Sequence, residues 1–463
     1  MIEKWLYVIE TFIIVYFIIV NSCYLLLLFC SLPRLSRYFK ESTIGNINNI
    51  VDDALCPPVA AIIAAHNEEA SIIDTVYNLL DIKYKNFNII IVNDGSTDAT
   101  LAKLIASFEL YPVSVIVPQS IKTTKINNYY VSQKYPKIVV LDKEHAGKAD
   151  SLNVGLNACR SALFVTIDAD TILEPDTISS LVFSMLSHPH TIAEGGAVYI
   201  LNGCNYAQGK LIEPRMASSF TVALQTFEYL RVFMFGRTGW ESFNGPVILS
   251  GALTLFERKA VMDVGGYEPK TIGEDMEVVV KLHAYMGSHG YPYRIGYTPS
   301  AVAWTEVPDN LTKLWRQRSR WHRALFDCLW RYKFMFFNPK YNMTGLFVMP
   351  FFLLGEFLGP IVEFTGYVIL IISMYLDNVN WAYAILFFAL SLGFSLILTL
   401  ATMLMSLLSF NKYRRLRDIF RAFLLAFVEH VGLRQYLVVC RLFATIRYLS
   451  DRLKITKQGW RTL

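Results

Sequence analysis

The sequence predicts a mixed α/β domain inserted between membrane-spanning helices, and three observations carry that reading. Apolar runs long enough to cross a hydrocarbon core of about 30 Å stand at both ends of the chain, over 5–30, 346–375 and 381–410. Between them, residues 55–325 alternate short β-rich runs with amphipathic stretches. Within that middle region, the first polar motifs each fall just after a predicted strand, where ligands of open α/β sheets bind. Composition agrees: 54% hydrophobic residues and a mean hydropathy of +0.36 are too apolar for an ordinary soluble protein, while 17% charged residues are too many for a helix bundle alone.

The first run, within 1–32, is too long for a signal peptide, and no small-residue cleavage site follows it. It predicts a membrane helix whose basic exit, Arg34, Arg37 and Lys40, faces the cytoplasm. In the middle region, Val59–Ala65 and 87–92 are expected as buried parallel strands. Helical spacing of Ile72, Val76, Leu79 and Leu80 predicts a helix over 68–80 between them. Further strands are expected at 138–141 and 164–167, with a helix over 149–158. After an interfacial segment, 326–345, a membrane hairpin over 346–410 turns at Asp377-Asn378-Val379-Asn380 and returns Lys412, Arg414, Arg415 and Arg417 to the cytoplasmic side. Glu429, His430, Arg434 and Arg441 interrupt the apolar run 420–449. Charges at membrane depth face a cavity or a partner, so 411–463 reads as interfacial or pore-lining helices, and Glu356 and Glu363 invite the same reading. The expected setting is therefore a multi-pass protein of the plasma membrane with a cytoplasmic α/β domain.

The net charge of +5 is modest and gathers beside the apolar segments, which does not indicate nucleic acid. Seven scattered cysteines with no Cys-x-x-Cys pair argue against a zinc site or a disulfide framework.

The chemistry lies in a series of acids. Asp168 and Asp170 follow the run Phe164-Val165-Thr166-Ile167, and alternate residues at a strand end point the same way, so both carboxylates can face one divalent ion such as Mg2+ or Mn2+. Asp94 follows a strand in the same manner, where its oxygens can accept from a base or ribose; an Asx turn at Asp94-Gly95 is the alternative. Lys148, before a predicted helix, can reach a phosphate or simply be solvated. Asp275, opening the helical stretch 276–283, suits a general base for an acceptor hydroxyl, with Glu274 sharing the role; an acid that merely complements the helix dipole is the alternative. Gln317, Arg320 and Trp321 share one helical face, where Arg can clamp a diphosphate and Trp can stack on a sugar; a basic helix lying on anionic lipid is the competing reading.

At these motifs the chain resembles the family 2 inverting glycosyltransferases of GT-A fold, above all their processive membrane branch: cellulose, hyaluronan and poly-N-acetylglucosamine synthases. The resemblance covers 55–325 well and the membrane region loosely. It implies that Asp94 binds the uridine part, that Asp168 contacts the nucleotide and Asp170 holds the metal, and that Asp275 is the base. It further implies that Gln317-x-x-Arg320-Trp321 binds diphosphate and acceptor, that Asn67-Glu68 belongs to the first nucleotide-binding stretch, and that Ser250-Gly251 lies near the acceptor. Lys457-Gln458-Gly459-Trp460-Arg461 matches the relatives' gating segment loosely, through Trp460 and Arg461. Gly273 stands where the family often has Thr. One helix precedes the domain, fewer than in many relatives, and no cyclic-dinucleotide-binding domain follows before Leu463, so regulation by that ligand is not expected. The implied activity is polymerisation of a UDP-sugar onto a polysaccharide acceptor, with export through the bilayer alone or with a partner protein. A β-glucan of β-1,4 or mixed linkage from UDP-glucose is favoured over a poly-N-acetylglucosamine or hyaluronan-type product. Single transfer to a lipid and a non-catalytic channel subunit are the rivals.

Overall fold

The computed structural model describes residues 2–44, 56–409, 412–413 and 415–459, and places an α/β domain between long apolar helices. The strands are β1 (Val59–Ala65), β2 (Phe87–Asp94), β3 (Leu110–Val113), β4 (Ile126–Ser132), β5 (Ile138–Lys143), β6 (Leu163–Thr166), β7 (Ile172–Leu173), β8 (Thr191–Ile200), β9 (Asn205–Ala207), β10 (Lys210–Glu213), β11 (Thr254–Glu257) and β12 (Arg294–Thr305). All but β9 and β10 form one mixed sheet in the order β3-β4-β5-β2-β1-β6-β11-β8-β12-β7. The strands β5, β2, β1 and β6 run parallel, so their carboxyl ends share one edge.

Side-chain alternation explains why β1 is apolar on both faces. Val59, Ala61 and Ile63 enter one core, while Ala60 and Ile62 enter the core on the opposite side. The helices Ile72–Leu80, Thr100–Phe108 and Lys148–Ala158 connect these strands. The first begins four residues later than its periodicity predicts, because Ser71 and Ile72 both donate to the Glu68 carbonyl in a turn. The helix expected over 276–283 is longer, Glu274–His289, and ends at Gly290 with φ of 68°.

Among the described residues, four helical stretches are long and apolar enough to cross a membrane: Lys4–Ser36, Thr344–Tyr375, Trp381–Leu407 and Leu416–Asp451. The last is broken at Val431 and Gly432, where φ reaches 100° at the glycine, separating Leu416–Val428 from Arg434–Gly459. Two of its interrupting charges are paired: Arg434 donates to Glu363 at 2.8 Å, and Arg231 donates to Glu429 at 2.7 Å. Tyr24 donates to Glu356 at 2.7 Å. These groups line a cavity of about 380 Å³ between the membrane helices and the α/β domain. Trp460 and Arg461, the gating expectation, lie outside the described residues.

Candidate active site

Parallel register brings the predicted motifs together. Ala65 pairs with Asn93 and Asn93 with Asp142, so the residues after β1, β2 and β5 emerge side by side. Asn67 adopts φ of 57°, and its side-chain oxygen accepts from the Thr97 amide at 2.8 Å, which ties the two loops together. The Glu68 amide donates to Thr100 at 2.8 Å. Burial, and then the charges of Asp168, Asp98 and Glu306, raise the Glu68 pKa against the Ser71 hydrogen bond.

Asp94 is 2% exposed, and its carboxylate holds the following loop. It accepts from the buried Lys143 ammonium and, at 2.9 Å each, from the Ala146 and Gly147 amides. Burial works against ionisation here, but Lys143 and the two amides outweigh it and keep the pKa below the ordinary value. His66 and His145 stand exposed above, with ring centroids 4.3 Å apart. His66, Asp94 and His145 offer three ligand atoms within 4.8 Å of one another. Lys143, also 3.1 Å from Asp150, already supplies the cation at that carboxylate, so the chemistry there suits a neutral base better than a metal.

The second cluster has the opposite balance. Lys148 opens its helix and reaches Asp168 at 2.5 Å and Glu274 at 3.4 Å. Burial works to lower its pKa, yet the charges of Asp168, Glu274 and Asp275 hold it above the ordinary lysine value. Burial, then repulsion from Glu274, raises Asp275, with Lys148 and the Met276 amide at 2.9 Å opposing. Ser250 and Gly251 line a small pocket together with Lys148, Glu274 and Asp275. A Cβ on Gly251 would sit 3.0 Å from Lys148 Nζ, a tight approach that the end of the lysine side chain would have to yield to slightly.

Asp170 accepts from Thr305 at 3.0 Å and Thr171 at 3.4 Å. Burial and then the Asp168 charge push it up to about 7, with Glu68 and Glu306 adding. A carboxylate held high beside a second one is suited to a hard divalent cation, and Asp168 and Asp170 are the residues that would hold it.

The helix Leu311–Arg331 carries the last motif. Arg318, which the sequence reading passed over, is 1% exposed and donates to Glu228 at 2.6 Å and to Gln317 at 2.6 Å. Its guanidinium lies 4.2 Å from the Trp321 ring centroid. Arg320 is exposed, and Trp321 is partly so. Sequence reasoning also missed Lys143 and Thr305: the first ends β5 and the second ends β12, and only strand order places them here. Arg318 had a signal, being flanked by Arg316 and Arg320 in the same helical turn.

Residues 60–265 match the model of glycosyl transferase family 2, and residues 163–431 match that of glycosyl transferase family group 2. Poly-beta-1,6-N-acetyl-D-glucosamine synthase of Staphylococcus aureus (strain COL) is 31% identical over 273 residues, which covers 59% of this chain and 56% of that protein. The enzyme of the same name from Staphylococcus epidermidis is 29% identical over 277 residues, with the same coverage. The chain thus spans about half the length of the curated relatives it matches. Among solved structures, a mannosyltransferase from Pyrobaculum calidifontis in complex with GDP-Man and Mn2+ superposes with a TM-score of 0.51 at 17% identity, over 91% of this chain and 99% of that one. That likeness shows the fold: the α/β domain is of GT-A type. With the second family model covering more than half of its length, the chain belongs to glycosyl transferase family group 2.

Proposed function

We propose that this chain is a membrane-embedded, processive, inverting β-glycosyltransferase that polymerises N-acetylglucosamine from UDP-N-acetylglucosamine. The observation that carries it is the cluster of Asp168, Glu274 and Asp275 around Lys148, with Asp170 beside Asp168, at the carboxyl edge of the sheet. The matched staphylococcal enzymes, named for an N-acetylglucosamine polymer, favour that sugar over the glucose expected from sequence alone.

In this reading Asn67, Glu68, Asp94, Lys148 and Asp168 form the nucleotide-sugar side. Asp94 acts from beneath by fixing residues 143–147, and the exposed His66 and His145 rings give the base a flat surface. Asp168 and Asp170 hold a divalent ion, Mg2+ or Mn2+, whose charge offsets that of the diphosphate when bound. The acceptor hydroxyl attacks the anomeric carbon as the bond to the diphosphate breaks. UDP departs with the electron pair, and the hydroxyl proton passes to Asp275, inverting α to β. Burial and the Glu274 charge raise the Asp275 pKa, which makes its carboxylate a stronger proton acceptor. Glu274, Ser250 and Gly251 border the acceptor side, and Gln317, Arg320 and Trp321 close the diphosphate side, with Arg318 bracing Gln317 and Trp321. The cavity between the membrane helices serves as the product's way out.

The test is UDP release by purified protein in nanodiscs, offered UDP-N-acetylglucosamine and UDP-glucose separately with Mg2+ or Mn2+, with the product sized and digested by linkage-specific glycanases. A long polymer from UDP-N-acetylglucosamine alone is expected. A polymer from UDP-glucose, or a single sugar on lipid, would refute the sugar or the processivity respectively.

A further inference from the structure

The cavity beneath the active site holds several charged groups, and nearly all are satisfied within the protein. Arg231 is bonded to Glu429, Arg434 to Glu363, and Glu356 to Tyr24. Arg237 differs. Among the described residues it has no hydrogen bond and no ion pair, and its Nη1 is fully buried without a partner. The Phe233 ring centroid lies 4.4 Å from its guanidinium carbon, and the nearby Tyr297 hydroxyl, also buried without a partner, acts on it without bonding it.

Two features place that guanidinium at a working position. It follows a π-helical stretch, Arg231–Gly236, that interrupts the helix beginning at Phe220; such insertions are frequent at functional sites. The wall beside it is also shared with the catalytic pocket. Pro246, Val247 and Ile248 line the cavity, and the next residues, Leu249, Ser250 and Gly251, line the pocket of Lys148 and Asp275. Arg237 therefore stands where an acceptor chain leaving Asp275 enters the cavity, and it is near enough for the Asp275 charge to act on it.

A guanidinium nitrogen buried without a partner is costly, and relief requires acceptor oxygens rather than another donor. An acidic partner would fix the arginine permanently, as Glu363 fixes Arg434. A glycan supplies hydroxyl and amide oxygens that arrive and leave with each added sugar.

We propose that Arg237 is an acceptor-binding residue, which donates hydrogen bonds to the hydroxyl or acetamido oxygens of the newly added sugars and so keeps the chain end at Asp275 between transfers. This rests on the polymerase reading above and adds to it the residue that retains the acceptor.

The experiment compares wild type, Arg237→Gln and Arg237→Lys in nanodiscs, reading UDP binding, UDP release and product length. For Arg237→Gln, the mean product length is expected to fall about tenfold, the effect of losing a hydrogen bond from a charged donor. Affinity for UDP and the KM for the donor should stay within about twofold, since no donor contact is lost. Arg237→Lys should recover part of the length. Products of wild-type length from Arg237→Gln overturn the proposal, as does shortening matched by an equal loss of UDP affinity, which marks a merely structural role. If Arg237→Gln does not fold, Arg237→Lys decides alone: unchanged affinity for N-acetylglucosamine pentamer and unchanged product length count against the proposal. A wild type that makes no polymer refutes the polymerase reading itself, and that outcome is separate from these.

Discussion

The two ends of the site treat charge in opposite ways. At the carboxyl edge of the sheet, Asp168, Glu274 and Asp275 share Lys148 with Asp170 beside Asp168, and burial with repulsion from neighbouring acids raises Asp170 and Asp275. On the membrane side, Glu363 and Glu429 each have an arginine of their own within 2.8 Å. Paired charges in an apolar setting are architecture: they satisfy one another and leave nothing for a ligand. Unbalanced charges are held in place by the fold at a cost, and a ligand of the missing sign relieves them. Four neighbouring acids, three of them sharing Lys148, call for a divalent cation with its diphosphate, whereas Arg237 with its unpartnered Nη1 calls for neutral oxygens.

The largest effect should come from the unbalanced side. Asp275→Asn removes the proton acceptor while keeping size and shape, and UDP release should fall about 10³-fold. UDP affinity, measured by calorimetry, should remain within a few-fold, because Asp275 is placed on the acceptor side. Turnover near that of wild type would move the base to Glu274.

The paired side should respond in stability rather than in chemistry. Glu363→Gln leaves Arg434 buried with its main partner gone, and such a break costs about 3–5 kcal/mol. Thermal denaturation in nanodiscs should show a clear drop for Glu363→Gln and a smaller one when Arg434→Met is added. Equal drops in the single and double variants would mean that the pair is not what holds these helices together.

Asp170 sharpens the contrast through pH. Its folded pKa of about 7 lies above the usual value for Asp, so between about pH 4 and 7 the native protein keeps a proton that the unfolded chain has lost. Without metal, its contribution to stability therefore falls as pH rises through that window. A divalent ion binds the ionised form, so stabilisation by Mn2+ should grow over the same range and level off above about pH 7. Asp170→Asn should abolish that metal response. A Mn2+ shift that is the same at pH 5.5 and pH 8 would exclude Asp170 as the ligand.

Which parts of this were legible in the sequence follows from how local the signals are. Strands β1, β2, β5 and β6 are short apolar runs followed by polar turns, and each was readable with its acid or loop motif. Strand β12 was not, because its twelve residues end in Thr305, whose value lies in reaching Asp170, and that contact depends on the pairing of β12 with β7. Lys143 stands in no motif, and only strand order buries it against Asp94. The pattern Gln317-x-x-Arg320-Trp321 drew attention to Arg320, whereas the buried arginine is its neighbour Arg318, a matter of which helical face meets Glu228. Arg237 lies in no motif, and its missing partner became visible only once the membrane helices were packed around it.

The smallest effect concerns Gly273, the residue at which this chain differs from the Thr often seen before Glu-Asp. A Cβ there would lie 2.7 Å from the Cβ of Ala324, on the helix that carries Gln317 and Trp321. The two elements touch backbone to side chain, with no room for a methyl group between them. Gly273→Thr must therefore push that helix away from the start of Glu274–His289, at a cost of about 1–3 kcal/mol for overpacking. The displacement should lower turnover severalfold, with little change in UDP affinity. Ala324→Gly restores the missing space, so the double variant should recover both stability and rate. If Gly273→Thr is as active and as stable as wild type, the contact is looser than 2.7 Å implies, and the diphosphate-side helix is not seated directly on the segment that presents Asp275.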